Sequence, residues 1–201
     1  AKIKNEILVF SKLQKNNIEL AYKENIILNI SSFDDIEHIE SFYLKNKVSP
    51  RYHLKFDTGM TRLGFDLHDV EAIYKNLSKS LHPYIEGVYT HFATADEGDL
   101  SYAEKQLNDF KMVIEKVENF GLKFKFIHCS NSGAVLNLEE SYFNMVRVGM
   151  LLYGALPSDE VTDNIGVKPV MSFCGSIVNV RRVKKDTLVS YGGVYKTMSD
   201  T

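Results

Sequence analysis

The stretch YHLKFDTGMTRLGF spans residues 52–65, and it places Lys55, Asp57 and Arg62 around one glycine turn. An alternating run from Tyr52 to Phe56 stops at Asp-Thr-Gly. A strand that ends in a charged turn points to ligand chemistry. A guanidinium fork is the best carboxylate clamp among the side chains, so Arg62 is a candidate for holding a small acid. The competing reading is a surface salt bridge from Arg62 to Asp57 or Asp66. Further along, HCSNSGA (128–134) sets Ser132 at the start of a short helix. A hydroxyl beside free backbone N–H groups is a phosphate-binding arrangement, although Asn-Ser-Gly alone also reads as a capping turn. Arg147 sits in the apolar run MVRVGM, where a charge needs a partner, either an acid or a ligand. Gly149 follows it and permits close backbone approach. His91, at the end of YIEGVYTHF, taken alone reads as structural or solvent-facing. Tyr191, in VSYGGVY, taken alone reads as an ordinary strand aromatic.

The elements that must position these groups alternate between strand and helix. Short apolar runs at Glu6–Ser11, Asn25–Ile30, Tyr52–Thr58, Tyr84–Phe92, Phe124–Ser130 and Met145–Tyr153 read as six strands. Between them, helical spacing appears over Leu13–Lys23 and after Ser32. It appears again from about Leu67 to Ser80 with Asp66 as the expected cap, over Ser101–Phe120 up to Gly121, and from about Ser132. Ser32 is placed as a helix N-cap, with Asp34 and Asp35 in the first turn. This order argues for parallel βαβ units, either an open sheet or a closed barrel. The charged and polar candidates all fall at C-terminal strand ends, the active face of a (β/α)₈ barrel. After Pro157 the pattern changes to period two over Val167–Thr197. The expected division is therefore a barrel part, 1–156, and the beginning of an antiparallel β domain, 157–201.

The chain has 201 residues, 44% apolar, with a formal charge of −2 and mixed signs, so no basic footprint for nucleic acid and no polybasic membrane patch is present. No run approaches the length of a membrane span. The two cysteines, Cys129 and Cys174, have neither CxxC nor zinc spacing and are expected as buried, reduced thiols, which suits a cytosolic protein. The opening AKIKNEILVF starts directly in a strand-like run without a signal peptide, and the chain reads as an internal piece of something larger.

Five segments together carry a specific resemblance. KFDTGMTRLGF, THFATADE, HCSNSGA, NMVRVGMLLYG and VSYGGVY occur in this order, so that nearly the whole chain resembles the alanine racemases, pyridoxal-phosphate enzymes of fold type III. The resemblance implies an incomplete (β/α)₈ TIM-type barrel of about six βα units, followed by the start of a β domain. It implies pyridoxal 5'-phosphate as cofactor, alanine as substrate, a homodimer, and a role in supplying D-alanine for peptidoglycan in the bacterial cytoplasm. Arg62 matches the arginine that helps to hold the substrate carboxylate. Lys55 matches a lysine that is carbamylated in many members, where the resulting anion pairs with that arginine. Ser132, Gly149 and Met150 match the cofactor-phosphate contacts. Arg147 matches the arginine facing the pyridine nitrogen, which it keeps unprotonated. His91 matches a histidine near that arginine and the catalytic tyrosine, with His128 and Asn131 as supporting residues. Tyr191 matches the catalytic tyrosine, which serves one face of the substrate Cα in the partner's barrel.

The chain lacks the family's Lys-x-Asn/Asp-Ala-Tyr-Gly-His-Gly-like segment, which supplies the cofactor-bearing lysine at the end of the first barrel strand. The isolated chain is therefore expected not to racemise alanine. A broad-specificity amino-acid racemase and a non-catalytic phosphate-binding remnant are the other readings.

Overall fold

A computed structural model of the chain describes residues 3–161 and 165–201. It divides into two compact units, Ala1–Pro169 and Val170–Thr201.

The first unit is built on a five-stranded, all-parallel sheet with strands in sequence order. The strands are β1 (Ile7–Leu8), β2 (Ile26–Ile30), β3 (Tyr52–Lys55), β4 (Ile85–Tyr89) and β5 (Phe126–His128). Between them run α1 (Ile18–Lys23), α2 (Phe33–Asn46), α3 (Val70–Asn76) and α4 (Ser101–Asn119), and α5 (Ser132–Asn137) follows β5. Alternation gives the central strands two faces. Tyr52, Leu54, Phe56 and Val88 are fully buried in one apolar core with Ile39, Ile73 and Phe110 of the helices. The alternate positions His53, Lys55, Tyr89 and His128 meet one another on the other face. Gly87 makes this possible, because a Cβ there would lie 2.7 Å from the His53 ring.

Local signals explain several boundaries. Ser32 does cap α2, accepting from the Asp35 N–H at 3.3 Å. Gly121 ends the α4 region with φ of +84°.

Other expected boundaries shift. β1 keeps only two ladder residues, because β2 is its sole neighbour, and Ile7 is 39% exposed. Helix α1 begins at Ile18, after a 3-10 turn over Lys15–Asn17. Asp66 caps no helix; its N–H donates to the Asp69 carboxylate at 3.0 Å, and α3 starts after Asp69. The expected sixth strand, Met145–Tyr153, is absent among the described residues. One backbone bond, Arg147 N–H to Ser130 C=O at 2.9 Å, holds it beside β5. The Gly149 and Leu151 N–H groups then turn to the Ser132 hydroxyl, and Met150–Tyr153 forms a 3-10 helix.

In the second unit, β6 (Leu188–Val189) and β7 (Tyr195–Lys196) form an antiparallel pair, joined by a turn with positive φ at Ser190, Gly192 and Gly193. Before it, Val183 exchanges backbone bonds with Thr201 at 2.8 and 3.0 Å, but residues 170–182 form no strand, and Phe173, Ile177, Val178 and Val180 stand exposed. Cys129 is buried as expected, but Cys174 is exposed. It lies in that unpaired segment, where no neighbouring strand covers it.

Candidate active site

The C-terminal ends of β3, β4 and β5 converge on Arg147. Its Nη1 donates to His128 Nδ1 at 2.6 Å. Its Nη2 faces the Thr90 C=O at 2.8 Å, the Cys129 C=O at 3.0 Å and His91 Nδ1 at 3.1 Å. No acid forms an ion pair with it among the described residues, which removes the buried-ion-pair reading. A guanidinium has five N–H groups and accepts nothing. Its Nε–H and the second Nη1–H therefore remain without a partner among the described residues. Burial draws its pKa down to about 10, so it stays charged at neutral pH.

The arginine also settles the protonation of its neighbours. Because it can only donate, His91 and His128 must both accept through Nδ1, and each carries its proton on Nε2. His128 Nε2 then donates to His53 Nδ1 at 2.8 Å. The His53 Nε2–H that results is buried without a partner. Desolvation, then the Arg147 charge, pushes the His53 and His91 pKa values down to about 4 and that of His128 to about 2. The three imidazoles are neutral at physiological pH.

Lys55 lies on the same face, 3% exposed, its ammonium 5.7 Å from the Tyr89 ring centroid. Burial, followed by the Arg62 charge, lowers its pKa to about 8. It has no acidic ion-pair partner among the described residues. Arg62 is exposed and forms neither of the salt bridges considered for it. The Asp57 carboxylate is already committed to the turn: Oδ1 accepts from the Gly59 and Thr61 N–H groups at 2.8 and 3.0 Å, and Oδ2 from the Arg62 N–H at 3.1 Å. Asp57 thus shapes the loop and leaves the Arg62 guanidinium unneutralised at its tip.

Ser132 is the first residue of α5, and Asn131 is its cap, accepting from the Ala134 N–H at 3.0 Å. With the capping role filled, the buried Ser132 hydroxyl is free for other partners. It accepts from the Gly149 N–H at 3.0 Å and the Leu151 N–H at 3.4 Å. The hydroxyl and two amides thus gather beside the start of α5, groups of the kind that bind anions. The amide beside Gly149 is that of Leu151, a residue the motif reading did not name, whereas Met150 makes no such contact. Glycine at 149 is not demanded by protein packing, since its φ is −114° and a Cβ would meet nothing within 4 Å. Gly133 is demanded, because a Cβ there would lie 2.7 Å from the Asp96 backbone nitrogen.

Tyr191 belongs to the second unit, in the turn between β6 and β7, and is 99% exposed. The residues 55, 62, 91, 128, 131, 132, 147, 149 and 150 belong to the first unit, and those on or beside β3–β5 form the constellation above. Sequence reasoning missed His53, Tyr89 and Phe10. Period two offers the signal for the first two, since His53 shares a face with Lys55, and Tyr89 with His91.

A parallel half-barrel whose strand ends carry a carboxylate-free arginine, neutral imidazoles and a serine hydroxyl bonded to two amides is of the (β/α) barrel class. Residues 1–157 match the family model "Alanine racemase, N-terminal domain", and the chain belongs to this family. An alanine racemase of Clostridium tetani is 35% identical over 198 residues, covering 97% of this chain and 51% of the relative. One of Carboxydothermus hydrogenoformans is 40% identical over 152 residues, 75% of this chain and 41% of the relative. Among solved structures, alanine racemase of Clostridium difficile 630 superposes with a TM-score of 0.82 at 32% identity, over 98% of this chain and 52% of that one. The Bacillus anthracis alanine racemase, solved with bound L-Ala-P, gives 0.79 at 33% identity, over 98% and 52%. The chain spans about half the length of the curated relatives it matches.

Proposed function

We propose that this chain carries the cofactor-holding half of an alanine racemase that interconverts L- and D-alanine with pyridoxal 5'-phosphate. The observation that supports it most is Arg147: a buried guanidinium, free of carboxylates, with two N–H groups left over. The residues present fit the cofactor. Ser132, with the Gly149 and Leu151 amides, would hold its phosphate. Arg147 would donate to its pyridine nitrogen. When bound, the cofactor supplies an electron sink that acidifies the substrate Cα–H.

The chain's own residues then have distinct tasks. Arg147 cannot yield a proton to a pyridine nitrogen, so that nitrogen stays unprotonated and the sink stays modest, which limits side reactions. Arg62 holds the substrate carboxylate with a guanidinium that no protein acid neutralises. Lys55 positions Arg62 once carbamylated. An amine with its pKa near 8 is partly neutral at physiological pH, the state that reacts with carbon dioxide, and the anion formed relieves the Lys55–Arg62 repulsion. Tyr191 moves the proton on one face of Cα, in a homodimer where it reaches the partner's barrel. The other face needs the cofactor-bearing lysine, and no segment of this chain matches it; the isolated chain is proposed to bind but not racemise.

The test is equilibrium binding of pyridoxamine 5'-phosphate, which lacks the aldehyde that labels lysines indiscriminately. Saturable binding that is weakened by Ser132→Ala and lost in Arg147→Met is expected. Absence of binding, or binding indifferent to both substitutions, overturns the reading. D-alanine formation by the isolated chain overturns the inactivity proposal alone.

A further inference from the structure

Arg147 is held by hydrogen bonds through both Nη1 and Nη2. Two aromatic rings stand against the group. The Arg147 Cζ lies 5.2 Å from the Tyr89 ring centroid and 5.7 Å from that of Phe10. The two rings are 5.7 Å apart and inclined at 59°. The three distances are nearly equal, so the guanidinium sits in an open corner between two tilted rings. Tyr89 is itself fixed. Its hydroxyl donates to Asn29 Oδ1 at 2.9 Å, and its ring stacks on His128 at 4.7 Å and 7°. Phe10 follows β1, the edge strand, and is 45% exposed although its ring meets a buried cation. A half-exposed aromatic against a desolvated arginine does little for the core; its contact is with the charge.

We propose that Phe10 and Tyr89 form an aromatic corner that fixes the plane of the Arg147 guanidinium, making both positioning residues for the ring-nitrogen contact. The ligand half of this inference rests on the proposed function; the corner itself does not. Negative ring faces attract the cation, and the corner leaves it one orientation. The two free N–H groups are thereby preorganised before a ligand arrives, which lowers the cost of binding. β1, otherwise a two-residue edge strand, is tied to the site through Phe10.

Nitrogen-15 NMR of the Arg147 side chain in the free protein tests the corner directly. Slow rotation about Nε–Cζ is expected in the parent chain and in Phe10→Tyr and Tyr89→Phe, which keep a ring. Rotation at least about tenfold faster is expected in Phe10→Leu, which keeps apolar bulk without a π face. Affinity for pyridoxamine 5'-phosphate should fall about tenfold in Phe10→Leu, or about 1.4 kcal/mol, and stay within about twofold in Phe10→Tyr. Phe10 is half exposed, so the leucine variant should fold, and its melting temperature confirms that. Unchanged rotation in folded Phe10→Leu overturns the corner. Faster rotation in a chain that binds no pyridoxamine phosphate in any form keeps the corner and sinks the cofactor reading.

Discussion

Two arginines, one at each end of the same sheet, are treated in opposite ways. Arg51 lies at the N-terminal end of β3. Its Nη1 meets Glu6 Oε1 at 2.5 Å and both Glu86 oxygens at 3.0 Å, and its Nη2 donates to Asn25 Oδ1 at 3.0 Å. Glu6 also lies 3.6 Å from Lys125 Nζ, so the cluster links residues beside β1, β3, β4 and β5. Arg147, at the C-terminal end, meets only neutral acceptors and rings. One end spends its cation on closing the structure; the other keeps its positive field available. In a (β/α) barrel the first is a stability face and the second an active face. The partners of a partly buried arginine therefore say more about its role than its burial does.

The largest way to break this contrast is Arg147→Met. It should abolish pyridoxamine phosphate binding, by more than about 100-fold, and cost about 3 kcal/mol by leaving buried acceptors unpaired. Isothermal titration and urea unfolding measure the two effects; retained binding would show that Arg147 is merely structural.

Acid separates the two ends next. His53, His91 and His128 have native pKa values below the ordinary 6.5, so below that pH the unfolded chain takes up protons that the native chain refuses. Stability is therefore full above pH 6.5 and falls as pH drops from there toward 4. The slope approaches about 1.4 kcal/mol per pH unit for each of the three histidines. The other end should stay silent across most of that window, because its hydrogen bond from Arg51 keeps Glu6 below its usual 4.5. Urea midpoints between pH 7 and 5 test this, and a flat profile contradicts the neutral imidazole chain.

Arg51→Met should cost about 2 kcal/mol, which lowers the melting temperature by about 4–8 °C, because Glu86 loses its countercharge. Its affinity for pyridoxamine phosphate should match the parent, and a tenfold loss there would erase the distinction between the ends.

Ser132→Ala is the smallest effect. It removes one neutral donor and should weaken pyridoxamine phosphate binding about tenfold. Pyridoxamine without its phosphate should bind both forms equally. Equal loss for both ligands would move the phosphate elsewhere.

Much of this was readable beforehand because it is local. Ser32 capping α2, Gly121 ending α4 and the alternation of β3 and β4 depend on neighbours a few residues apart. That Ser132 would stand beside the Gly149 amide was legible from the motifs, but the identity of the second amide was not. Leu151 rather than Met150 turns inward because Met150–Tyr153 coils into a 3-10 helix instead of continuing as a strand. That outcome depends on the ladder bonds available to the segment, which sequence spacing does not report. Asp66 misled for a similar reason: a competing Asp69 takes the capping position three residues later.

The sequence by itself determined the residue types of the site, the βαβ order that collects them at one end of a parallel sheet, and the five ordered segments that mark the alanine racemase family. Only the tertiary structure decided how those residues are used. It committed Asp57 to a turn and left Arg62 unneutralised. It gave Glu6 and Glu86 to Arg51, and it set Arg147 among imidazoles, carbonyls and two aromatic rings. Those assignments join residues as far apart as Phe10 and Arg147, 137 positions along the chain. Periodicity fixes which face a side chain takes, but only the curl of the sheet brings those faces together.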